Sequence, residues 1–134
     1  MERERRRTVL VADDEPFVRQ LVCRMLTNDY DIVEAQNGAE AIDIARTRKL
    51  DLILMDMMMP KMDGLSACYT IKQDPGTREI PVVMLTAITH ELNKQVSENV
   101  MGASGYITKP FTARTLLSTI EPLLARGKAQ EAPV

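Results

Sequence analysis

Five short runs of aliphatic residues recur along the chain, and each has the length of a β-strand. Three of them are apolar at nearly every position, which is typical of strands that helices cover on both faces. The predicted strands are Thr8–Ala12, Asp31–Glu34, Leu52–Met55, Val82–Leu85 and Gly105–Ile107.

Between and after these runs, apolar residues recur at intervals of three and four, and this spacing predicts amphipathic helices. One helix is expected near Glu91–Met101 and the last one near Thr112–Leu124. Turn sequences such as Asn37-Gly38 and Asp63-Gly64 separate the segments. Pro122 is expected to kink or end the last helix, because proline lacks the N–H donor.

The alternation of strands and helices predicts an α/β fold with right-handed βαβ units and a parallel sheet between two helical layers. The length of 134 residues fits a single domain. We expect that domain over residues 8–126, after a charged arm at 1–7 and before a disordered polar tail at 127–134.

Composition narrows the class of protein. Hydrophobic residues make up 45% of the chain, and the net charge of −2 does not indicate nucleic acid as a direct partner. No apolar run reaches the roughly 18 residues of a membrane span, and no signal peptide is recognisable, so we expect a cytoplasmic protein. Cys23 and Cys68 are too few for a disulfide framework or zinc site, and His90, the only histidine, is expected at the surface.

Polar residues follow four of the predicted strands and should meet at one edge of the sheet, where open α/β folds bind ligands. Asp13, Asp14 and Glu15 follow the first strand, Asp56 the third, Thr86 the fourth and Lys109 the fifth. Taken singly, the first two could cap a helix, and the threonine and lysine could be ordinary surface residues. Asp56 has no such role, because it stands alone among apolar neighbours and would need a cation if buried.

Clustered carboxylates repel one another, and a hard divalent cation such as Mg²⁺ relieves that repulsion with oxygen ligands. Phosphoryl transfer mainly requires positioning and charge stabilisation. Mg²⁺, the Lys109 ammonium and the Thr86 hydroxyl would supply both, and a carboxylate oxygen of Asp56 would be the nucleophile that forms an acyl phosphate.

Four segments together resemble the receiver domain of two-component response regulators (CheY-like) over about residues 7–125. They read, in order, VLVADDE, LILMDMMMPKMDG, VVMLTA and GYITKPF. The resemblance implies a doubly wound, flavodoxin-like (βα)5 fold with strand order 2-1-3-4-5. It also implies a phosphoprotein of a phosphorelay that promotes only its own phosphorylation and dephosphorylation, rather than an enzyme with external turnover.

The same resemblance implies roles for individual residues. Asp56 would accept the phosphoryl group, and the metal ligands would be Asp13, Asp14, Asp56 and the Met58 backbone carbonyl, with Mn²⁺ able to replace Mg²⁺. Thr86 would swing toward the phosphoryl group, which the small Ala87 leaves accessible. Tyr106 would change rotamer, and Lys109 would pair with the phosphoryl group, next to a cis bond to Pro110. Met58 and Ile88 would flank the hydrolytic water and, being apolar, would slow the loss of phosphate.

The implied partners are proteins. A sensor histidine kinase or a histidine phosphotransfer protein would donate the phosphoryl group. The output face would comprise the helix near Glu91–Met101, the strand Gly105–Ile107 and the helix near Thr112–Leu124. That face would contact a downstream protein or a second copy of the chain.

Other functions compete with this interpretation. An aspartyl-phosphate phosphatase also uses Asp and Mg²⁺, but it typically has a second Asp where this chain has Met58. A receiver fold that only docks partners is another alternative, although all five site residues are present. A nucleotide switch lacks its glycine-rich loop. Copper binding by the methionines near Asp56 has no defensible ligand geometry, since Met commonly fills cores.

Overall fold

A computed structural model describes residues 6–87 and 102–131 of the chain, with side chains described to residue 125. Ile88, His90 and the helix expected near Glu91–Met101 lie outside the described residues. The strands are β1 Arg7–Ala12, β2 Tyr30–Ala35, β3 Leu52–Asp56, β4 Val82–Thr86 and β5 Gly105–Thr108. The helices are α1 Pro16–Leu26, α2 Gly38–Thr47, α3 Gly64–Gln73 and the C-terminal helix Ala113–Glu131.

The five strands form one parallel sheet in the order β2-β1-β3-β4-β5. The predicted parallel α/β fold and strand order are therefore confirmed, and every predicted strand lies within one residue of an observed one at each end. β3 and β4, next to each other toward the centre of the sheet, are buried at all five positions. None of the described helices combines the length and apolar character needed to cross a membrane.

Two apolar clusters sandwich the sheet, because successive side chains of a strand point to opposite faces. Leu10, Ile53 and Met84 belong to the cluster under α2 and α3. Val11, Leu54 and Leu85, their neighbours in sequence, belong to the cluster under α1 and the C-terminal helix. Burial on both faces fixes the register of the inner strands, and with it the positions of the residues at their ends.

Local sequence sets where the helices begin. Asn37 accepts a hydrogen bond from the Glu40 backbone at 2.9 Å, and Asp63 accepts one from the Ser66 backbone at 2.7 Å, so both are N-caps. At α1 the N-cap position is Glu15, and its side chain makes no capping bond. Neither Asp13 nor Asp14 is therefore the cap of α1.

The C-terminal helix corrects one expectation. It passes through Pro122 and continues to Glu131, so Pro122 does not end the helix, which was one of the two outcomes expected of it. Leu116, Ile120 and Leu124 are buried on both sides of the proline, whereas Pro122 itself is exposed. Packing of the apolar face thus outweighs the one backbone hydrogen bond that proline removes.

Two arginines of the amino-terminal segment contact the rest of the fold. Arg7, predicted in the charged arm, is the first residue of β1 and pairs with Tyr30. The Arg6 guanidinium donates hydrogen bonds to the carbonyls of Thr27 at 2.6 Å and Tyr30 at 2.9 Å. Both arginines are therefore attached to the domain at the turn between α1 and β2.

Candidate phosphoacceptor site

The candidate site lies where the inner strands end, at the carboxyl edge of the sheet. Asp56 is the last residue of β3 and Thr86 the last residue of β4, and Asp13 and Lys109 directly follow β1 and β5. Backbone hydrogen bonds fix these strand ends: Asp13 N–H donates to the Ala35 carbonyl at 3.1 Å, and Lys109 N–H to the Thr86 carbonyl at 2.7 Å. The structure thus brings the predicted residues to one edge.

Asp13 is fully buried, and each of its two carboxylate oxygens has a hydrogen-bond donor. Its Oδ1 accepts a hydrogen bond from the Glu15 backbone at 2.9 Å. Its Oδ2 accepts one from Lys109 Nζ at 2.8 Å. A buried carboxylate is tolerated when it is paired in this way.

Lys109 is the ammonium shared by the acidic groups. Besides Asp13, its Nζ lies 3.3 Å from Asp56 Oδ1 and 3.9 Å from Glu15 Oε1. The Lys109-Pro110 peptide bond is cis, the isomer that the resemblance implied. Burial lowers the pKa of Lys109, but the hydrogen bond that it donates to Asp13 and the charges of Asp56 and Asp13 outweigh this effect, so the pKa stands above its ordinary value.

Asp56 is the carboxyl group at this edge whose pKa departs clearly from its ordinary value. Burial and the neighbouring charge of Asp13 raise its pKa to about 6, although Lys109 and a hydrogen bond from the Met58 backbone favour the ionised form. One ammonium is therefore not enough to offset desolvation and repulsion among the carboxylates. A further positive charge at this site would favour the carboxylate form, which is the nucleophilic one.

The acidic cluster fits a hard divalent cation. Asp13, Asp14 and Asp56 each offer a carboxylate oxygen, and these oxygens lie within 4.8 Å of one another. Asp13 and Asp56 are buried, whereas Asp14 is exposed, so the cluster is open to solvent on one side. Oxygen ligands with room for waters suit Mg²⁺, which keeps several waters when it binds.

The loop after β3 brings its backbone close to Asp56. Gly64 begins α3 against this strand end, and a Cβ there would lie 2.0 Å from the Asp56 carbonyl oxygen, so only glycine fits. Within the loop, Met62 N–H donates to the Pro60 carbonyl at 2.8 Å, and Lys61 between them has a φ of 70°. This is a γ-turn of the rare, strained kind.

The remaining predicted residues surround the cluster at different depths. Thr86 is buried, and Tyr106 is half-buried and packs against the apolar cluster under α2 and α3. Ala87 is exposed, and the Met58 side chain is 67% exposed although it follows Asp56 by only two residues.

Three residues that the sequence did not single out as functional contact the site. Glu15 approaches Lys109, Gly64 packs against the Asp56 backbone, and Arg19 Nη1 donates to the Asp13 carbonyl at 2.7 Å. The sequence gives a signal for the first two, since Glu15 adjoins the aspartate pair and Gly64 follows an N-capping aspartate. Arg19 carries no such signal, because its contact depends on how α1 returns over β1.

The comparisons with known proteins agree with this geometry. Residues 9–121 match the family model of the response regulator receiver domain, so the chain belongs to that family. The chain is 37% identical over 131 residues to the phosphate regulon transcriptional regulatory protein PhoB of Pseudomonas aeruginosa, covering 96% of this chain and 57% of the relative. It is 34% identical over 123 residues to the alkaline phosphatase synthesis transcriptional regulatory protein PhoP of Bacillus subtilis, covering 92% and 50%.

Among solved structures, the chemotaxis protein CheY4 of Vibrio cholerae superposes with a TM-score of 0.84 at 32% identity, covering 89% of this chain and 99% of that one. The match thus spans nearly the whole length of the chemotaxis protein. It spans about half the length of the curated relatives it matches.

Proposed function

We propose that the chain is a phosphorylation switch in which Asp56 accepts a phosphoryl group in a Mg²⁺-dependent reaction. The observation that carries this proposal is the convergence of three carboxylates and one ammonium at the carboxyl edge, with the pKa of Asp56 raised to about 6. A structural role alone does not explain why repelling charges are gathered there.

Asp13, Asp14 and Asp56 would hold the metal, with Mn²⁺ as a substitute, and the Met58 carbonyl would complete the protein ligands. Mg²⁺ bound there would supply positive charge against the carboxylates and the incoming phosphoryl oxygens. Lys109, which already lies within 3.3 Å of Asp56, would pair with the added group from the other side.

The proposed donor is the phosphohistidine of a sensor histidine kinase or of a histidine phosphotransfer protein. An Asp56 carboxylate oxygen would bond to phosphorus while the P–N bond breaks, and the histidine nitrogen would leave with the electron pair. Water would later cleave the acyl phosphate, so the chain promotes only changes in its own phosphorylation. The residue range 8–126 is the proposed receiver unit, and the cytoplasm is its proposed location.

The output would be a change at the face that includes β5 and the C-terminal helix. Thr86 would move toward the phosphoryl group, next to the exposed Ala87, and Tyr106 would follow it by changing rotamer, which biases a two-state equilibrium. The face would then bind a downstream protein or a second copy of the chain. The chain itself is not proposed to contact nucleic acid.

The experiment is to incubate the protein with a small acyl phosphate, with and without Mg²⁺, and to follow intact mass and peptide mass. The expected result is one added phosphate, located on Asp56, when Mg²⁺ is present. No phosphate should be incorporated when the metal is chelated before the donor is added. Phosphate on another side chain, or incorporation that is independent of metal, would contradict the proposal.

A further inference from the structure

Arg19 connects three elements of the fold although it belongs to none of the predicted site residues. Its side chain near the start of α1 is only 13% exposed. The guanidinium donates from Nη1 to the Asp13 carbonyl at 2.7 Å and from Nε to Glu34 Oε1 on β2 at 2.9 Å. α1, the end of β1 and β2 are therefore joined through a single planar group.

Asp13 is the residue that this network immobilises. Its N–H is bound by the Ala35 carbonyl, and its two carboxylate oxygens by the Glu15 backbone and by Lys109. The fourth polar group, its carbonyl, is bound by Arg19. Arg19 is thus the one side-chain partner of Asp13, among the contacts described, that lies outside the proposed metal and phosphoryl machinery.

Glu34 holds the guanidinium in place. Its carboxylate pairs with Arg19, and the Cys23 thiol, one turn further along α1, also hydrogen-bonds to Glu34. Because the arginine side chain is only 13% exposed, this charge-assisted contact with the half-exposed Glu34 favours one rotamer of Arg19. Removing Glu34 should therefore release Arg19 without altering any atom of the acidic cluster.

We propose that Arg19 is a positioning residue for the metal site: held by Glu34, it fixes the Asp13 backbone so that the carboxylate is ready to bind Mg²⁺ together with Asp14 and Asp56. The inference rests on the proposed function, since it takes Mg²⁺ as the ligand of that cluster. Groups that orient metal ligands typically contribute about 10- to 100-fold to metal affinity.

The first experiment compares Mg²⁺ affinity by calorimetry in the wild-type protein, Arg19→Met and Arg24→Met. Arg24 is an exposed arginine of the same helix and serves as the matched control. About 10-fold weaker binding in Arg19→Met and unchanged binding in Arg24→Met are expected. Equal affinity in the wild-type protein and Arg19→Met would overturn the inference alone. Absence of Mg²⁺ binding by the wild-type protein would overturn the proposed function, and the inference with it.

A second measurement needs no metal. Amide hydrogen exchange of the peptide containing Asp13 and Asp14 should be faster in metal-free Arg19→Met than in Arg24→Met, because the carbonyl contact is lost. Equal exchange rates would contradict a positioning role.

Glu34→Leu tests whether Glu34 acts on Asp13 through Arg19, rather than through a general loss of stability. It should weaken Mg²⁺ binding, and the double variant with Arg19→Met should bind no more weakly than Arg19→Met alone. If the losses of Mg²⁺ affinity in the two single variants add up in the double variant, Glu34 does not act through Arg19. If Arg19→Met does not fold, as judged by circular dichroism, Glu34→Leu carries the test: an unchanged Mg²⁺ affinity would overturn the inference.

Discussion

At the amino edge of the sheet, charged side chains have hydrogen-bond or ion-pair partners that the fold itself supplies, whereas the carboxyl edge gathers like charges around one ammonium. Asp51 Oδ2 accepts a hydrogen bond from the Thr8 backbone at 2.8 Å, and its Oδ1 lies 3.7 Å from Arg7. Lys72 Nζ donates to the Arg78 carbonyl at 3.0 Å and also to the Ile80 carbonyl. Asp51 thus has a cation and a backbone donor as partners, whereas Lys72, whose pKa burial lowers, has two carbonyl acceptors.

The carboxyl edge is different because Asp13 and Asp56 share Lys109, Asp14 adds a third carboxylate to the cluster, and the pKa of Asp56 remains raised to about 6. Charges with matched partners stabilise the fold, while charges left in mutual repulsion are destabilising until a ligand arrives. The difference between the edges therefore predicts which substitutions change stability and which change chemistry.

The largest expected effect comes from comparing Asp56→Asn with Asp51→Asn. Asp56→Asn should abolish phosphate incorporation, because the amide is not a nucleophile for phosphorus, and should not lower stability. Asp51→Asn should retain incorporation but lower the free energy of unfolding by about 1–3 kcal/mol, because a charged partner of Arg7 and the Thr8 backbone is lost. Intact mass and urea unfolding measure the two effects. Loss of incorporation in both variants would contradict the contrast between the edges.

The pH dependence of stability sharpens the same comparison in metal-free protein. The folded pKa of Asp56, about 6, exceeds the ordinary value of 3.8, so the folded state holds the proton more tightly. As the pH rises from about 4 to about 6, the wild-type protein should lose stability relative to Asp56→Asn, and the difference should level off above that range. Its size should be on the order of 2–3 kcal/mol. A difference that is constant with pH would contradict the assigned direction.

Lys72→Met should lower stability without affecting phosphorylation. Methionine keeps the apolar stem, which lies beside Gly102. It leaves the carbonyls of Arg78 and Ile80 without the donor that Lys72 supplies. The expected loss is about 1–3 kcal/mol in urea unfolding. Lys49→Met, at an exposed lysine of the same chain, is the control and should change stability by less than about 0.5 kcal/mol. If folded Lys72→Met were phosphorylated to a smaller extent than the wild-type protein, a substitution at the amino edge would affect the chemistry at the carboxyl edge, contrary to this prediction.

The sequence predicted the fold and the edge of the site for a physical reason. Apolar runs such as Leu52–Met55 mark buried parallel strands, and parallel strands bring the residues after them to the same edge. The convergence of Asp13, Asp56 and Lys109 followed from that rule together with the family resemblance. Their distances did not, because they depend on the register between strands.

Other features depend on contacts that a linear pattern does not reveal. Pro122 predicts the end of a helix locally, but the packing of Ile120 and Leu124 continues it. Arg19 lies 15 residues from Glu34 in sequence, and their contact exists only once β2 has paired with β1. The γ-turn at Lys61 likewise has no residue type that requires a positive φ.

The smallest expected effect concerns how long the phosphoryl group persists. The Met58 side chain stands 67% exposed beside Asp56 and can neither accept nor donate a useful hydrogen bond to an attacking water. Met58→Asn, combined with Ile88→Glu, should accelerate loss of phosphate by about fivefold, which corresponds to about 1 kcal/mol of activation free energy. Loss of phosphate over time, followed by intact mass after donor removal, measures the rate.

Tyr69→Gln is the control for this variant, because Tyr69 is 47% exposed on α3 and none of the predicted roles includes it. Its rate should equal that of the wild-type protein, since the substitution changes an exposed side chain that has no predicted role at the site. An unchanged rate in the Met58→Asn, Ile88→Glu variant would mean that these side chains do not control the attacking water. The lifetime would then be set by the charges on Asp13 and Lys109, the same imbalance that separates this edge from the other.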